Sequence, residues 1–226
     1  MWNHGSRRVM TMAGGVMTLV LGMTSGRASA QSAWDVSTFG GVFAARSPVS
    51  GYEAPYDEWL HTGQIGVSVG RHLTRHLKID AEAAATGTGR QFVQRFVVVN
   101  GFPTPIGAEA ETSVRTVAAA ATWQFFDNEW VHPFVTAGVQ ADMQRRAIRV
   151  WEQYSYGSDS RAPGTPTLIA REQHHGPETS VRVQPVIGGG VKAYMTPRTF
   201  LRADGRASFD GVRQSLAFRA GIGVDF

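Results

Sequence analysis

The last twelve residues, Ser215 to Phe226, alternate without a slip. Leu216, Phe218, Ala220, Ile222, Val224 and Phe226 fall on one parity; Ala217, Arg219, Gly221, Gly223 and Asp225 fall on the other. In a β-strand successive side chains point to opposite faces, so one face here is apolar and ends in an aromatic ring, while the other is small or charged. A strand of this kind separates lipid from a polar interior, with its terminal ring at the membrane interface. The chain is thereby steered toward a transmembrane β-barrel, a reading that constrains fold and compartment far more than activity.

The opposite end points the same way. Arg7 and Arg8 precede an apolar stretch from Val9 to about Met23, followed by polar Thr24-Ser25-Gly26-Arg27 and then Ala28-Ser29-Ala30 before Gln31. Positive region, short apolar region and small-x-small site are the three parts of a secretory signal peptide, so cleavage is expected after Ala30. A spanning helix needs about 20 apolar residues; this run is shorter and is broken by Gly14, Gly15 and Gly22. No cysteine stands at the cleavage point to take a lipid anchor. The expected organisation is a cleaved signal peptide over residues 1–30 and one β-barrel over residues 31–226. Arg7, Arg8 and Arg27 supply three charges of the formal +4, and 4 − 3 leaves +1 for the exported part. That balance gives no reason to expect a nucleic-acid partner. Zero cysteines rule out a disulfide framework. Beyond the signal no apolar run approaches 18 residues, so any crossing of a membrane must be made by strands.

Period-two patterning marks eight strands. They run from about Trp34 to Ala44, Gln64 to His72, Leu77 to Thr88, Val114 to Phe125, Pro133 to Arg146, Val181 to Met195, Thr199 to Phe209, and along the terminal segment. Short links follow the second, fourth and sixth, around Leu73–His76, Asp127–Trp130 and Thr196–Arg198. Long ones follow the first, third and fifth: Arg46 to Gly63, Gly89 to Glu111, and about Val150 to Ser180. The last hairpin, Asp210 to Arg213, is short where a long link was due. Short turns at one end and long loops at the other favour an outer-membrane barrel, turns in the periplasm, over a soluble one. Gln91 to Asn100 is apolar enough to continue the third and fourth strands as a hairpin above the membrane. The turn-and-strand segment Leu73–Glu82 echoes Met195–Asp204 position for position, a repeated hairpin solution too short to be a repeat array.

With the terminal aromatic strand, Pro133-Phe134-Val135-Thr136-Ala137-Gly138-Val139 and Gly188-Gly189-Gly190-Val191-Lys192-Ala193-Tyr194-Met195-Thr196-Pro197 in view, the chain resembles the small OmpA-like or OmpW-like outer-membrane barrels of Gram-negative cell envelopes. The resemblance covers nearly all of the exported chain and is architectural. It implies an all-β, eight-stranded antiparallel transmembrane barrel, exported through the periplasm and inserted by the barrel-assembly machinery, which reads the terminal strand and Phe226. It also implies outer-membrane lipid and lipopolysaccharide as surroundings. No OmpA-type peptidoglycan-binding domain is expected after Phe226, and a monomer is expected.

An eight-stranded barrel leaves an interior just wide enough for side chains, which suits inward glycines at Gly66, Gly70, Gly138, Gly188, Gly190, Gly221 and Gly223. On the same parity lie Asp80, Glu82, Asp142, Lys192, Arg202, Asp204, Arg206 and Arg219, joined by Asp225. Both signs are present, so these are expected to form an ion-pair network that plugs the lumen; the alternative is a narrow polar conduit. Aromatics at strand ends, Trp123, Phe125, Tyr194, Phe200 and with them Trp130, Phe209 and Phe226, are expected at the membrane interface, where a ring is partly wet. Pro185 cannot donate to a ladder, so either the sixth strand begins at Val186 or a bulge lies near its outer rim.

Chemistry-bearing clusters are sparse. Glu172, His174 and His175 stand together in the third long loop, but adjacent histidines point apart in an extended chain. His61 with Asp57 and Glu58 is a weaker grouping in the first loop. Ser68 and His72 share a strand face four residues apart, more than roughly 10 Å at strand rise, too far for a direct hydrogen bond. Gly188-Gly189-Gly190 lacks the Lys-Ser/Thr and helix of a phosphate loop. No metal, cofactor or enzymatic activity is therefore expected. Tyr52, Tyr56, Trp59, Phe92, Phe96, Phe102, Trp151, Tyr154 and Tyr156 crowd the long connections with aromatics. A structural or surface-interaction barrel with a plugged interior is the leading expectation. A narrow channel for small solutes is the first alternative, and a rim-active lipid-modifying enzyme the second.

Overall fold

The computed structural model describes residues 33–46, 59–99, 102–125, 130–152, 171–211 and 214–226. The signal peptide and its cleavage after Ala30 lie outside the described residues, as do Asp57, Glu58, Tyr52, Tyr56, Tyr154, Tyr156 and the Asp127–Glu129 turn, and the side chains of Phe96 and Phe102. Among the described residues nine strands follow one another: β1 Trp34–Arg46, β2 Trp59–His72, β3 Leu77–Thr86, β4 Gly89–Val99, β5 Phe102–Gln124, β6 Val131–Glu152, β7 Arg171–Tyr194, β8 Thr199–Phe209 and β9 Gln214–Asp225. They form one antiparallel sheet in the order β3-β2-β1-β9-β8-β7-β6-β5-β4, closed by a further β3–β5 pairing.

Nine strands make eight staves because β3 and β4 lie end to end along β5. β3 pairs with its second half, from Leu77↔Trp123 to Ala85↔Arg115, and β4 with its first half, from Gly89↔Thr112 to Val99↔Phe102. The break falls at Gly87-Thr88, where the Gly87 N–H donates to the Gly63 carbonyl at 2.9 Å and the Val114 N–H donates to Thr86 Oγ1 at 2.9 Å. The seam between first and last strands is closed reciprocally: Trp34 N–H to the Phe226 carbonyl at 3.1 Å, Phe226 N–H to the Trp34 carbonyl at 2.9 Å. A closed cylinder matters because each unpaired backbone group in hydrocarbon costs several kcal/mol.

Alternation holds around the ring. Val42, Ile65, Val67, Val69, Ile79, Val117, Val135, Val139, Ile187, Leu201, Phe218, Ile222 and Val224 all face outward and are exposed. The opposite parity is buried and mostly polar. An apolar outside around a polar inside inverts a soluble barrel and matches a barrel that meets lipid.

Three expectations about strand limits are corrected. β5 begins at Phe102 rather than Val114, so Gly89 to Glu111 is the paired β4–β5 hairpin that the apolar Gln91 to Asn100 stretch suggested. β7 begins at Arg171 rather than Val181, which moves Glu172, His174 and His175 from a loop onto a strand opposite Trp151, Arg149 and Ile148 of β6. A register shift between Arg146 and Ile148 accommodates Gly176 (φ +97°) and Pro177. Pro185 neither starts a strand nor sits in a bulge: it pairs with Val139 of β6, one residue beyond the last β7–β8 pair, Val186↔Ser208. Proline is tolerated at such a ladder end because one neighbour is missing there.

Candidate functional site: the filled bore

The inward parity of all the staves converges on the barrel axis, and at the short-turn end it brings together lysines and aspartates. Lys78 Nζ lies 2.8 Å from Asp35 Oδ2 and 2.8 Å from Asp80 Oδ1; Lys192 Nζ lies 2.8 Å from Asp225 Oδ1 and 3.3 Å from Asp35 Oδ2. Thr122 Oγ1 donates to Asp80 at 2.5 Å, and the Tyr194 hydroxyl donates to Asp225. Lys192 is 2% exposed and Asp80 0%. Ions buried so deeply require both a counter-charge and hydrogen bonds.

The next layer up is made of arginines. Arg219 Nη1 lies 2.9 Å from Glu82 Oε2 and its Nη2 2.6 Å from Asp204 Oδ1; Arg202 Nε lies 2.9 Å from Asp204 Oδ2. Arg206 pairs with Glu82 and approaches Asp204 at 3.5 Å. Across both layers Lys78, Lys192, Arg202, Arg206 and Arg219 face Asp35, Asp80, Asp225, Glu82 and Asp204, so the charges balance five against five. The sequence places eight of these ten inside; Lys78 and Asp35 are not in its inward charged set. Both could have been found from parity, since Lys78 alternates with Ile79 and Asp35 with Val36.

Asp142 occupies a third, mostly uncharged layer toward the long loops. It accepts from Thr116 Oγ1 at 2.7 Å, Gln140 Nε2 at 3.0 Å and Gln184 Nε2 at 2.5 Å; both glutamines also donate to Ser208 Oγ. Two cavities of about 30 Å³ each border this layer. One is lined by Gln64, Glu82, Arg206 and Ser215, the other by Gln144, Asp142, Arg182 and Gln184. Each is large enough to hold water.

Aromatic rings complete the plug, and here the sequence reading needs correction. Phe200, expected at the membrane interface, is 1% exposed inside the bore, and Tyr194 points inward beside it with ring centroids 5.9 Å apart. They share the parity of Arg202 and Lys192, and alternation outweighs the tendency of strand-end aromatics to seek the interface. Lys192 Nζ stands 3.8 Å from the Phe200 centroid, Arg202 Cζ 4.8 Å from Phe134, and Arg219 Cζ 4.2 Å from Phe39. Cations held against ring faces gain about 2 kcal/mol when desolvated. The rings fit because glycine faces them: a methyl on Gly223 would run into the Phe200 ring, and one on Gly66 into that of Phe39. Trp123 and Phe125 do face outward at the short-turn end, 46% and 39% exposed, the same end of the cylinder that carries exposed Trp34, Trp130 and Phe226. Trp123 also stacks on His76 at 5.5 Å.

Ser68 and His72 both point into the bore rather than to a rim; among the described residues Ser68 Oγ has no hydrogen-bond partner, and His72 Nε2 lies 3.7 Å from Asp35. His174 Nε2 lies 3.2 Å from Glu172 Oε1, while His175, next along β7, belongs to the other face of the strand.

No protein-family model matches the chain, and no curated protein matches it. Solved structures do. The neisserial surface protein NspA is 15% identical over 88% of this chain and 100% of its own, with a TM-score of 0.51. The N-terminal β-barrel domain of OprF from Pseudomonas aeruginosa is 17% identical over 85% and 97% (TM-score 0.46), and Ail, the attachment invasion locus protein of Yersinia pestis, is 14% identical over 85% and 98% (TM-score 0.46). The fold is that of a small eight-stranded outer-membrane β-barrel, and the apolar outer wall is the surface such a barrel gives to lipid.

Proposed function

We propose that this outer-membrane barrel is a closed scaffold whose task is interaction at the cell surface, with a bore that does not conduct. The observation that carries the reading is the filling of the bore. Two balanced ion-pair layers, three phenylalanines held against cations and a glutamine layer occupy the bore among the described residues, bordered by two cavities of about 30 Å³. An eight-stranded cylinder has only enough space for its own side chains, and here bulky residues of both signs use it. The second support lies at the other end. β4 to β7 run past the apolar wall, and their outward surface carries Arg90, Glu111, Arg149 and Glu172 beside exposed Phe92. Charged residues mixed with an exposed ring suit recognition in water.

Planar-bilayer recording tests the plug. The wild-type protein and Arg206→Ala should give no single-channel steps, because Arg202 and Arg219 still bridge Glu82 and Asp204. Replacing Arg202, Arg206 and Arg219 together by alanine should open a narrow conductance, provided unboiled samples still run as folded barrels on gels. Steady steps from the wild type would turn the reading toward a solute channel.

A further inference from the structure

On the outward face of β5, Trp123, Ala121, Ala119 and Val117 are followed by Arg115; on β6, Val135, Ala137, Val139, Ala141 and Met143 are followed by Arg145. The register Arg115↔Met143 and Ser113↔Arg145 sets the two arginines diagonally on neighbouring strands, about 7–8 Å apart. Both are exposed. Counting along β5, Arg115 stands ten positions before Phe125 of the aromatic end; at roughly 3.4 Å per residue and a tilt of about 40° this is about 26 Å of height, the thickness of a barrel's apolar band. The pair therefore sits at the headgroup level of the leaflet on the long-loop side.

The surroundings of this pair differ from those of the arginines above it. Arg90 is met by Glu109 and Glu111 at 3.5 and 3.3 Å, and Arg149 by Glu172 at 3.3 Å. Among the described residues neither Arg115 nor Arg145 has a carboxylate partner. Two adjacent like charges are unfavourable unless an anion lies between them. Guanidinium forks match phosphate oxygens in geometry as well as charge.

The geometry points to a phosphate clamp: Arg115 and Arg145 hold the phosphate of a phosphorylated glycolipid of the outer leaflet, whose acyl chains run down the wall over Met143, Val117 and Val139. A saccharide headgroup is favoured over a phospholipid because the wall continues upward. Ser113 and Thr179 flank Arg145 in register, and Glu111, Arg90 and exposed Phe92 rise above it, offering hydrogen-bonding groups and a ring at sugar height. A short phospholipid head would leave that surface untouched.

The test uses the full chain in detergent micelles, with lipopolysaccharide, the same lipopolysaccharide after removal of its phosphates, and phosphatidylglycerol as probes. Arg115→Gln with Arg145→Gln should weaken lipopolysaccharide binding at least tenfold, each single change accounting for part of the loss. The dephosphorylated lipid should bind wild type and double variant equally, and phosphatidylglycerol should compete poorly. Arg71→Gln, an outward arginine 5.4 Å from Trp34 at the short-turn end, should change nothing. Unaltered binding by a double variant that still folds overturns the clamp. Equal competition by phosphatidylglycerol overturns the choice of a glycolipid. Bilayer conductance is expected to stay as in the wild type, so this result and the one on the plug can fail separately.

Discussion

Glu82 is met by three guanidinium groups: Arg206 in direct contact, Arg219 at 2.9 Å and Arg202 at 3.7 Å. A buried ion pair stabilises little compared with well-packed apolar residues, yet removing one partner leaves an uncompensated charge and costs about 3–5 kcal/mol. Glu82→Gln keeps the shape and removes the charge, leaving Asp204 to balance three arginines. Urea unfolding of the barrel in lipid should show a loss of about 3–5 kcal/mol. Adding Arg206→Met to Glu82→Gln should recover a good part of it, because the surplus cation goes with the missing anion; two losses that merely added would show that the pair is not coupled. Gly70 belongs to the same logic. A methyl there would lie 2.5 Å from Asp35 Oδ1 and 2.7 Å from Asp80 Oδ1, so the lower ion-pair layer can close only over a residue with no side chain.

At the scale of the strand, legibility followed the membrane. Where a strand lies in the apolar band, the sequence must alternate, and Ser215 to Phe226 could be assigned residue by residue. Above the band water wets the outward face, and the period fades. Pro103, Pro105, Gly107 and Glu109 of β5 then read as loop although they are paired with β4. The prolines are tolerated because residues 102–106 have β4 on one side only, the β6 ladder ending at Gly107↔Trp151. Gly176-Pro177 hid the start of β7 in the same way. Phe200 was misplaced for another reason: a rule about aromatics at strand ends was set against parity, and parity with Arg202 was the stronger physical constraint. The distinction between band and extension can be measured. Val139, 54% exposed at mid-wall, should cost about 2–4 kcal/mol when replaced by arginine, whereas Phe92→Arg, on the extension toward the long loops and opposite Glu109 in register, should be nearly neutral. Equal costs at the two sites would show that the apolar wall is not the lipid face.

The cylinder as a whole depends on its seam, where β1 and β9 pair from Asp35↔Asp225 to Arg46↔Gln214. Without β9, β1 and β8 would each expose an unpaired edge, which neither lipid nor a folded barrel tolerates. Intact, the ring has no free end from which detergent can unzip it, so unboiled protein should migrate faster on gels than boiled protein. A chain lacking residues 214–226 should show one mobility only. Phe226 allows assembly and stability to be separated. Its backbone holds the seam through two hydrogen bonds with Trp34, while its ring, 46% exposed, lies on the outer wall. Phe226→Ser keeps both backbone bonds and removes only the ring, so refolding into lipid vesicles should lose about 1 kcal/mol of stability and retain the mobility shift. If the assembly machinery reads that ring, the yield of folded protein in the outer membrane of cells should fall much further than the refolding yield. Parallel losses in cells and in vesicles would reduce Phe226 to an ordinary piece of apolar wall.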